Sequence, residues 1–360
     1  MFNFKNYLNW PVAAAFLGAA SLLASCDSAI YEDLPICESA RYAVRFVWDT
    51  NMLSADAFRG NVHSVAVYGF DENDKLAFLL EESGDALKMQ GYTLPIEVEG
   101  LEAGNYTLVA WCGLDNSNED ATRAESFIAT DVEIGKTTRQ ELKCRMEREV
   151  RADGTHHSAE QLFDLYHGTA YAQIYDEKDP DGLGDHVIQV NLTKDTNNVR
   201  VMLQQFGKDV DVNDYTFTIE EPNGELGSDN EIADNTMINY EPFQALNGEV
   251  DTETRADGAI DGLGVAIAYM KMSRLMARGQ AMVKIRNSKN EQILQIPLTK
   301  YALLARDYDG LDFTDQEYLD RQDNYKLMLF LDSNGSWASS KIIIQSWTIY
   351  PSEEDLSTDY

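Results

Sequence analysis

Tyr42-Ala43-Val44-Arg45-Phe46-Val47-Trp48 places a large apolar residue at every second position. Successive side chains of an extended chain point to opposite faces. Tyr42, Val44, Phe46 and Trp48 are therefore predicted to share the buried face of a β-strand, with Arg45 on the other side. The texture then repeats. Val62 to Phe70 carries Val65, Val67 and Tyr68 before an Asp71-Glu72-Asn73-Asp74 turn, and Leu76 to Leu80 returns as its hairpin partner. Tyr92 to Val98, Tyr106 to Cys112, Phe127 to Ile134 and Gln140 to Met146 follow, punctuated by Gly, Asp and Asn at the short intervals of an antiparallel sandwich.

Between Glu147 and Asp185 the texture changes: Gln161 to Tyr166 reads as a helical turn, Thr169 to Tyr175 as a strand, and Asp176 to Asp185 as an Asp/Gly-rich connection. A domain boundary is expected there, at 180/181. Strand patterns resume at Val187 to Leu192, Val199 to Leu203, Tyr215 to Ile219, Val265 to Leu275, Ala281 to Ile285 and Ile293 to Leu298. Thr314 with Glu317 three residues on has capping-box spacing and predicts a short helix to about Gln322. Tyr325 to Leu331 and Lys341 to Tyr350 read as closing strands around Asn334-Gly335. The expectation is an all-β chain of two tandem sandwiches, residues 39–180 and 181–352, with a short helix in the second and an acidic tail at 353–360.

Hydrophobic residues make up 44% of the chain and charged ones 25%, which suits packed cores and not disorder. The formal net charge of −32 repels nucleic acid, so no nucleic-acid partner is expected.

The first residues speak to compartment. Lys5 precedes an apolar stretch from Trp10 to Leu23 that is too short to span a bilayer and runs into Leu23-Ala24-Ser25-Cys26. Small residues before a cysteine are what a lipoprotein signal peptidase accepts. Residues 1–25 are read as a signal peptide, Cys26 as the lipidated residue, and 26–38 as a tether. Of the remaining thiols, Cys112 lies in an apolar strand and reads as buried. Cys37 and Cys144 flank the first domain and are the better-placed pair for a disulfide in an oxidising compartment.

A search for chemistry finds little. There is no Gly-x-Ser-x-Gly elbow, no His-Glu-x-x-His pair and no phosphate-cradling glycine loop. His156 and His157 are read as exposed loop residues. On a strand they would face opposite ways, which does not suit one metal ion. Asp179 to Asp185 has half the look of a calcium loop, but its terminal ligand position falls on Ile188. The stretch is read as a linker. No enzyme, cofactor or metal is expected. The string Arg-Ala-Asp-Gly occurs at 151–154 and 255–258, too short to mark a repeat.

The stretch from Cys26 to Cys37, followed by Val44 to Trp48, resembles the start of the FimB-type fimbrial anchor lipoproteins, also called minor-fimbrium anchor subunits. Val65 to Asp71, Ala103 to Trp111, Leu165-Tyr166-His167-Gly168, Asn191 to Lys194 with Asn197 to Val201, and Ile344 to Trp347 are similar to later elements of that family, in order. The resemblance implies transthyretin-like sandwiches and a non-catalytic role: holding the base of a fimbrium to the outer membrane at the cell surface, with limitation of fimbrial length as a further expectation. The implied partner is a fimbrial (fimbrillin) subunit. The alternative is a surface glycan-binding lipoprotein using Trp111, Trp337 or Trp347.

Buried methylenes contribute about 0.8 kcal/mol each, so multiple acyl chains on Cys26 would anchor the protein stably. Cys26→Ala is expected to abolish uptake of labelled fatty acid and to release the protein from the membrane fraction; unchanged fractionation contradicts the assignment.

Overall fold

The computed structural model describes residues 41–349 apart from 121, 177, 255–259, 310–311 and 345–346. The signal peptide, Cys26, Cys37 and the acidic tail lie outside the described residues. The chain is all-β, and among the described residues its strands form four sheets.

The first sheet has the order Leu76–Ser83, Ser64–Phe70, Gly104–Cys112, Tyr166–Ile174, Asp185–Lys194, Arg41–Thr50 and Thr93–Ile96. Its strands are antiparallel except that Arg41–Thr50 and Asp185–Lys194 run parallel, in register from Arg41↔Asp185 to Val47↔Asn191. The opening alternation holds: Tyr42, Val44, Phe46 and Trp48 are buried, and Arg45 is exposed. They pack with Val67, Leu108 and Leu192 in a core closed by Phe58 and Leu87 from two short helices, Phe58–Asn61 and Gly84–Met89. Val47 is buried as well, at the end of the strand where the helix Asp315–Arg321 packs. Arg321 of that helix donates to the carbonyls of Asp49 and Asn51, both at 3.1 Å.

The second sheet runs Gln244–Thr254, Ile260–Ser273, Thr196–Gln205, Asn324–Leu331, Trp337–Ile344 and Trp347–Ile349. The third runs Gln292–Pro297, Met282–Asn287, Tyr215–Glu221, Ile238–Tyr240, His156–Ser158 and Glu149–Val150. These two close on a core containing Val201, Leu327, Ile219 and Val283. The same core continues through Met146 and Phe127 to Trp111 and Val109 on the other face of the first sheet.

Several expectations need correction. Asp185–Lys194, placed in the second unit by a boundary at 180, hydrogen-bonds within the first sheet, so the chain crosses between sheets at Lys194–Thr196. Gln161 to Leu165 forms no helical turn; Leu162, Phe163 and Leu165 are buried in an extended connection. Phe127 to Ile134 keeps strand pairing only over Phe127–Ala129. Lys341 to Ile349 is not one strand but the end of Trp337–Ile344 and a separate strand, Trp347–Ile349, which pair antiparallel; Tyr350 lies outside the described residues. The Thr314 cap is present, its hydroxyl accepting from the Glu317 amide at 3.2 Å. A helix at Leu298–Asp309 went unread because its burial of Tyr301, Ala302 and Ala305 lies behind a strand-like Ile293 to Leu298 run.

The two halves exchange strands. Glu225–Gly227, from beyond the crossing, pairs with Lys143–Met146, which pairs on its other side with Phe127–Ala129 to make the small fourth sheet. In return His156–Ser158 pairs parallel with Ile238–Tyr240 in the third sheet.

Between these exchanges lies an ionic cluster whose lysines are buried and whose carboxylates Asp164 and Asp323 are half-buried. Lys194 reaches Asp164 at 3.0 Å and Asp323 at 2.7 Å, and Lys271 reaches Asp164 at 2.6 Å. The Thr196 hydroxyl donates to Asp164 at 2.7 Å. Next to it, Arg274 makes a bidentate pair with Asp320 at 2.8 and 2.7 Å, binds the Asn230 carbonyl, and stands 3.6 Å from the fully buried Asp195. Burial opposes ionisation of Asp164, but Lys271 and Lys194 reverse the balance and hold it down at about 2. Asp195 is the opposite case: burial outweighs Arg274 and the Asn230 amide, and pushes it up to about 7.

Removing one partner of a buried pair costs about 3–5 kcal/mol, because the other charge stays desolvated. Asp164→Asn is expected to lower unfolding free energy at pH 7 by that amount, read from urea titration. With its folded pKa below the unfolded value near 3.9, Asp164 contributes stability above that value and loses it as pH falls towards 2. The variant should lack this part of the acid transition.

Candidate interaction edge

In Tyr215–Glu221, Phe217, Ile219 and Glu221 face inward and Thr216 is exposed. On one side the strand pairs with Met282–Asn287 from Tyr215↔Asn287 to Glu220↔Met282. On the other side the ladder covers only Ile219↔Tyr240, Glu220↔Asn239 and Glu221↔Ile238. Pro242 explains why it stops. A proline has no amide donor to extend a ladder, and here the chain changes sheets. The Glu241 amide donates to the Ser158 carbonyl at 2.7 Å, while the Phe243 amide already donates to Tyr269 of the second sheet at 3.0 Å. Among the described residues, Tyr215 to Thr218 thus pair on one side only, leaving an open edge of about 13 Å at 3.3 Å per residue.

A cavity of about 480 Å³ lies along this edge, bounded by Ala159, Val212, Pro242 and Ala245. Its rim carries Glu241, which accepts from Arg151 at 2.8 Å and meets His157 Nδ1 at 2.9 Å. Burial would raise the Glu241 carboxyl, but these two partners hold it below the usual range. The far ring nitrogen of His157 meets the Thr155 hydroxyl at 2.7 Å, which fixes the ring. Beside the cavity runs Gln244–Thr254, an edge strand of the second sheet whose first five residues, Gln244 to Gly248, are uncharged. The Asn247 side chain accepts from the Val212 amide at 2.7 Å and ties this edge to the cavity floor.

The residues singled out from sequence fall elsewhere. Cys26 and Cys37 lie outside the described residues. Cys144 is a free thiol, 1% exposed, facing the core, where burial pushes its pKa well up. Cys112 is buried likewise. Trp111 is fully buried with its ring 4.5 Å from His167, so it offers no sugar platform. Trp337 and Trp347 begin strands whose side chains lie outside the described set. His156 and His157 are strand residues and not exposed loop residues. They face apart, His156 accepting from Arg148 at 2.9 Å. Asp179 caps a single turn and Asp185 pairs with Arg41 at 2.6 Å. Among the described residues no three His, Cys, Asp or Glu side chains converge on one point. The first Arg-Ala-Asp-Gly forms a turn closed by Arg151 and Thr155, and the second lies outside the described residues. Sequence reading missed the open edge. Its one signal was Pro242 shortly after a strand-forming Ile238-Asn239-Tyr240.

Residues 32–352 match the model of a family described as fimbrillin-A associated anchor proteins Mfa1 and Mfa2. Similar solved structures include one from Bacteroides thetaiotaomicron called a putative polysaccharide binding protein, at 28% identity and TM-score 0.70, covering 88% of this chain and 100% of that one. A putative adhesin from the same organism is 27% identical, with TM-score 0.71 and coverage of 88% and 99%. The fimbrial anchor protein Mfa2 from Porphyromonas gingivalis shares the fold, with TM-score 0.61 at 17% identity and coverage of 86% and 98%. No curated protein sequence matches the chain.

Amide hydrogen exchange reads the open edge directly. The Tyr215 amide already donates to the Val212 carbonyl; amides of Thr216 to Thr218 that point into the cavity are expected to exchange fast, while those of Ile219 to Glu221 stay protected. Uniform protection along Tyr215–Glu221 contradicts an open edge.

Proposed function

This chain belongs to the family of fimbrillin-A associated anchor proteins, and on that premise we propose that it holds the base of a fimbrium to the outer membrane. Lipid on Cys26 provides the hold on the membrane. The hold on the filament is strand addition: an extended segment of a fimbrial subunit pairs with Tyr215 to Thr218 beside Pro242. The half-paired strand carries this reading. Four residues offer only a few backbone hydrogen bonds, each worth about 1 kcal/mol net. Side chains of the added segment must therefore fill the adjacent cavity to reach micromolar affinity, about −8 kcal/mol. The role is non-catalytic, and limitation of fimbrial length follows if the anchor ends subunit addition.

One observation favours a second reading, glycan binding. Tyr171 is 84% exposed on a face of the first sheet that also presents Thr169, Gln173, Gln189 and Asn191. Amide and hydroxyl groups around an open aromatic ring suit a sugar, and one similar structure is called a putative polysaccharide binding protein.

The test uses the detergent-extracted full chain. It is expected to co-purify with a fimbrial subunit, and deletion of the gene to shed fimbriae into the medium. Ala245→Arg fills the cavity from an exposed position and should reduce co-purification at least tenfold without moving the melting temperature. If deletion leaves cell-bound fimbriae unchanged and no subunit co-purifies, the anchor reading falls. Binding on a carbohydrate array that Tyr171→Ala removes would then favour the second.

A further inference from the structure

Asp195, the middle residue of the crossing, is fully buried, and only one of its side-chain oxygens has a hydrogen-bond donor. Oδ1 accepts from the Asn230 side-chain amide at 3.0 Å. Oδ2 is buried without a partner, and so is the side-chain oxygen of Asn230. Both orphans are acceptors, and they belong to two side chains that already share a hydrogen bond. An ionised carboxylate only accepts, so it leaves both unsatisfied. One proton on Asp195 Oδ2 supplies the missing donor. The acid then donates to the Asn230 oxygen while the Asn230 amide donates to Asp195, closing an acid–amide pair. Both groups turn about a broad terminal torsion, which lets the second corners meet.

The surroundings bring no free cation to do this work instead. Arg274 stands 3.6 Å away, but it is spent on a bidentate pair with Asp320 and on the Asn230 carbonyl. Lys194 on the same stretch is shared by Asp164 and Asp323, and Lys271 pairs with Asp164. Within the turn that carries Asn230, Glu231 pairs with Arg278, and Asp229 accepts from the Glu231 amide at 3.1 Å. The Cys144 thiol is buried and kept protonated. Burial outweighs Arg274, and raises the Asp195 carboxyl to about 7.

The position of Asn230 gives the proton something to hold. Its turn, Gly227 to Ile232, follows the exchanged strand Glu225–Gly227 and lies against the first sheet, where the Ser228 carbonyl accepts from His167 Nε2 at 3.0 Å. We infer that Asp195 and Asn230 form a proton-operated latch between the two halves: with Asp195 protonated the pair is closed and holds the turn on the crossing, and with Asp195 ionised one arm is lost and the turn loosens. The unfolded chain releases this proton near 3.9. The contribution of the latch is therefore full below that pH, declines as pH rises towards 7, and is gone above it. The latch does not depend on the anchor reading.

Carboxyl-carbon NMR of the full chain tests the proton, and hydrogen exchange tests the latch. The Asp195 resonance is expected to titrate with a midpoint near 7 and to be in its protonated position at pH 5. Protection of the Asn230 side-chain amide and of the His167 Nε2 proton, corrected for intrinsic rate, should fall about tenfold from pH 6 to pH 8. His167 itself stays neutral throughout, since burial pushes it down to about 4. Asp195→Asn places a permanent donor where the proton stood and copies the closed form. It should keep that protection within about twofold over the same range, and melt above the unaltered chain at pH 8 with the gap narrowing at pH 5. An Asp195 carboxyl already ionised at pH 5, or protection that does not fall in the unaltered chain, would overturn the inference without any variant. So would a folded Asp195→Asn chain that loses protection as the unaltered one does.

Discussion

Three consecutive residues, Lys194, Asp195 and Thr196, carry the chain from the first sheet to the second, and all three are fixed by buried charge. Lys194 is shared between Asp164 and Asp323, Thr196 donates to Asp164, and Asp195 lies beside Arg274. Such clusters add little net stability against an apolar core of equal volume. What they impose is geometry, because each charge is tolerable only with its partner in place. The strand exchanges at Glu225–Gly227 and His156–Ser158 act in the same sense. Together they give the halves one continuous core and define where the third sheet ends short and leaves its edge open.

Much of the sheet architecture was legible because burial on one face writes a period of two into the sequence. Tyr42 to Trp48, Val199 to Leu203 and, from Met282 on, Ala281 to Ile285 show this period and stand in strands. The same period held an unread message. Val190 and Leu192 face inward, so Lys194 must as well, and an inward lysine announces a buried carboxylate. Its partners were beyond reach, since Asp164 and Asp323 are far apart in sequence and only the crossing brings them together. The pairing of Asp185–Lys194 within the first sheet was out of reach for a related reason. Asp/Gly-rich composition marks an exposed loop, but loops inside a sheet look the same as loops between domains.

The open edge was legible only in part. Pairing is a property of two strands, and no pattern within Tyr215 to Glu221 says that its neighbour will leave after three residues. Pro242 limits where a ladder can continue, but the change of sheet depends on Tyr269 being there to receive Phe243. The tryptophans misled in the other direction. Trp111 is aromatic and lies on a strand, yet it fills the core against His167, and the exposed ring of the first sheet is Tyr171. Family resemblance, carried by short elements in order, reached further than any one of these local readings.

The parallel pairing of Arg41–Thr50 with Asp185–Lys194 has a mechanical consequence. A tension that enters at Arg41 and leaves through Lys194 runs along both strands in opposite directions. The ladder from Arg41↔Asp185 to Val47↔Asn191 is then loaded in shear. Its hydrogen bonds share the force and must yield together, whereas a hairpin pulled from its ends opens one bond at a time. A molecule stretched between a membrane and a long external lever would present its strongest direction to the load.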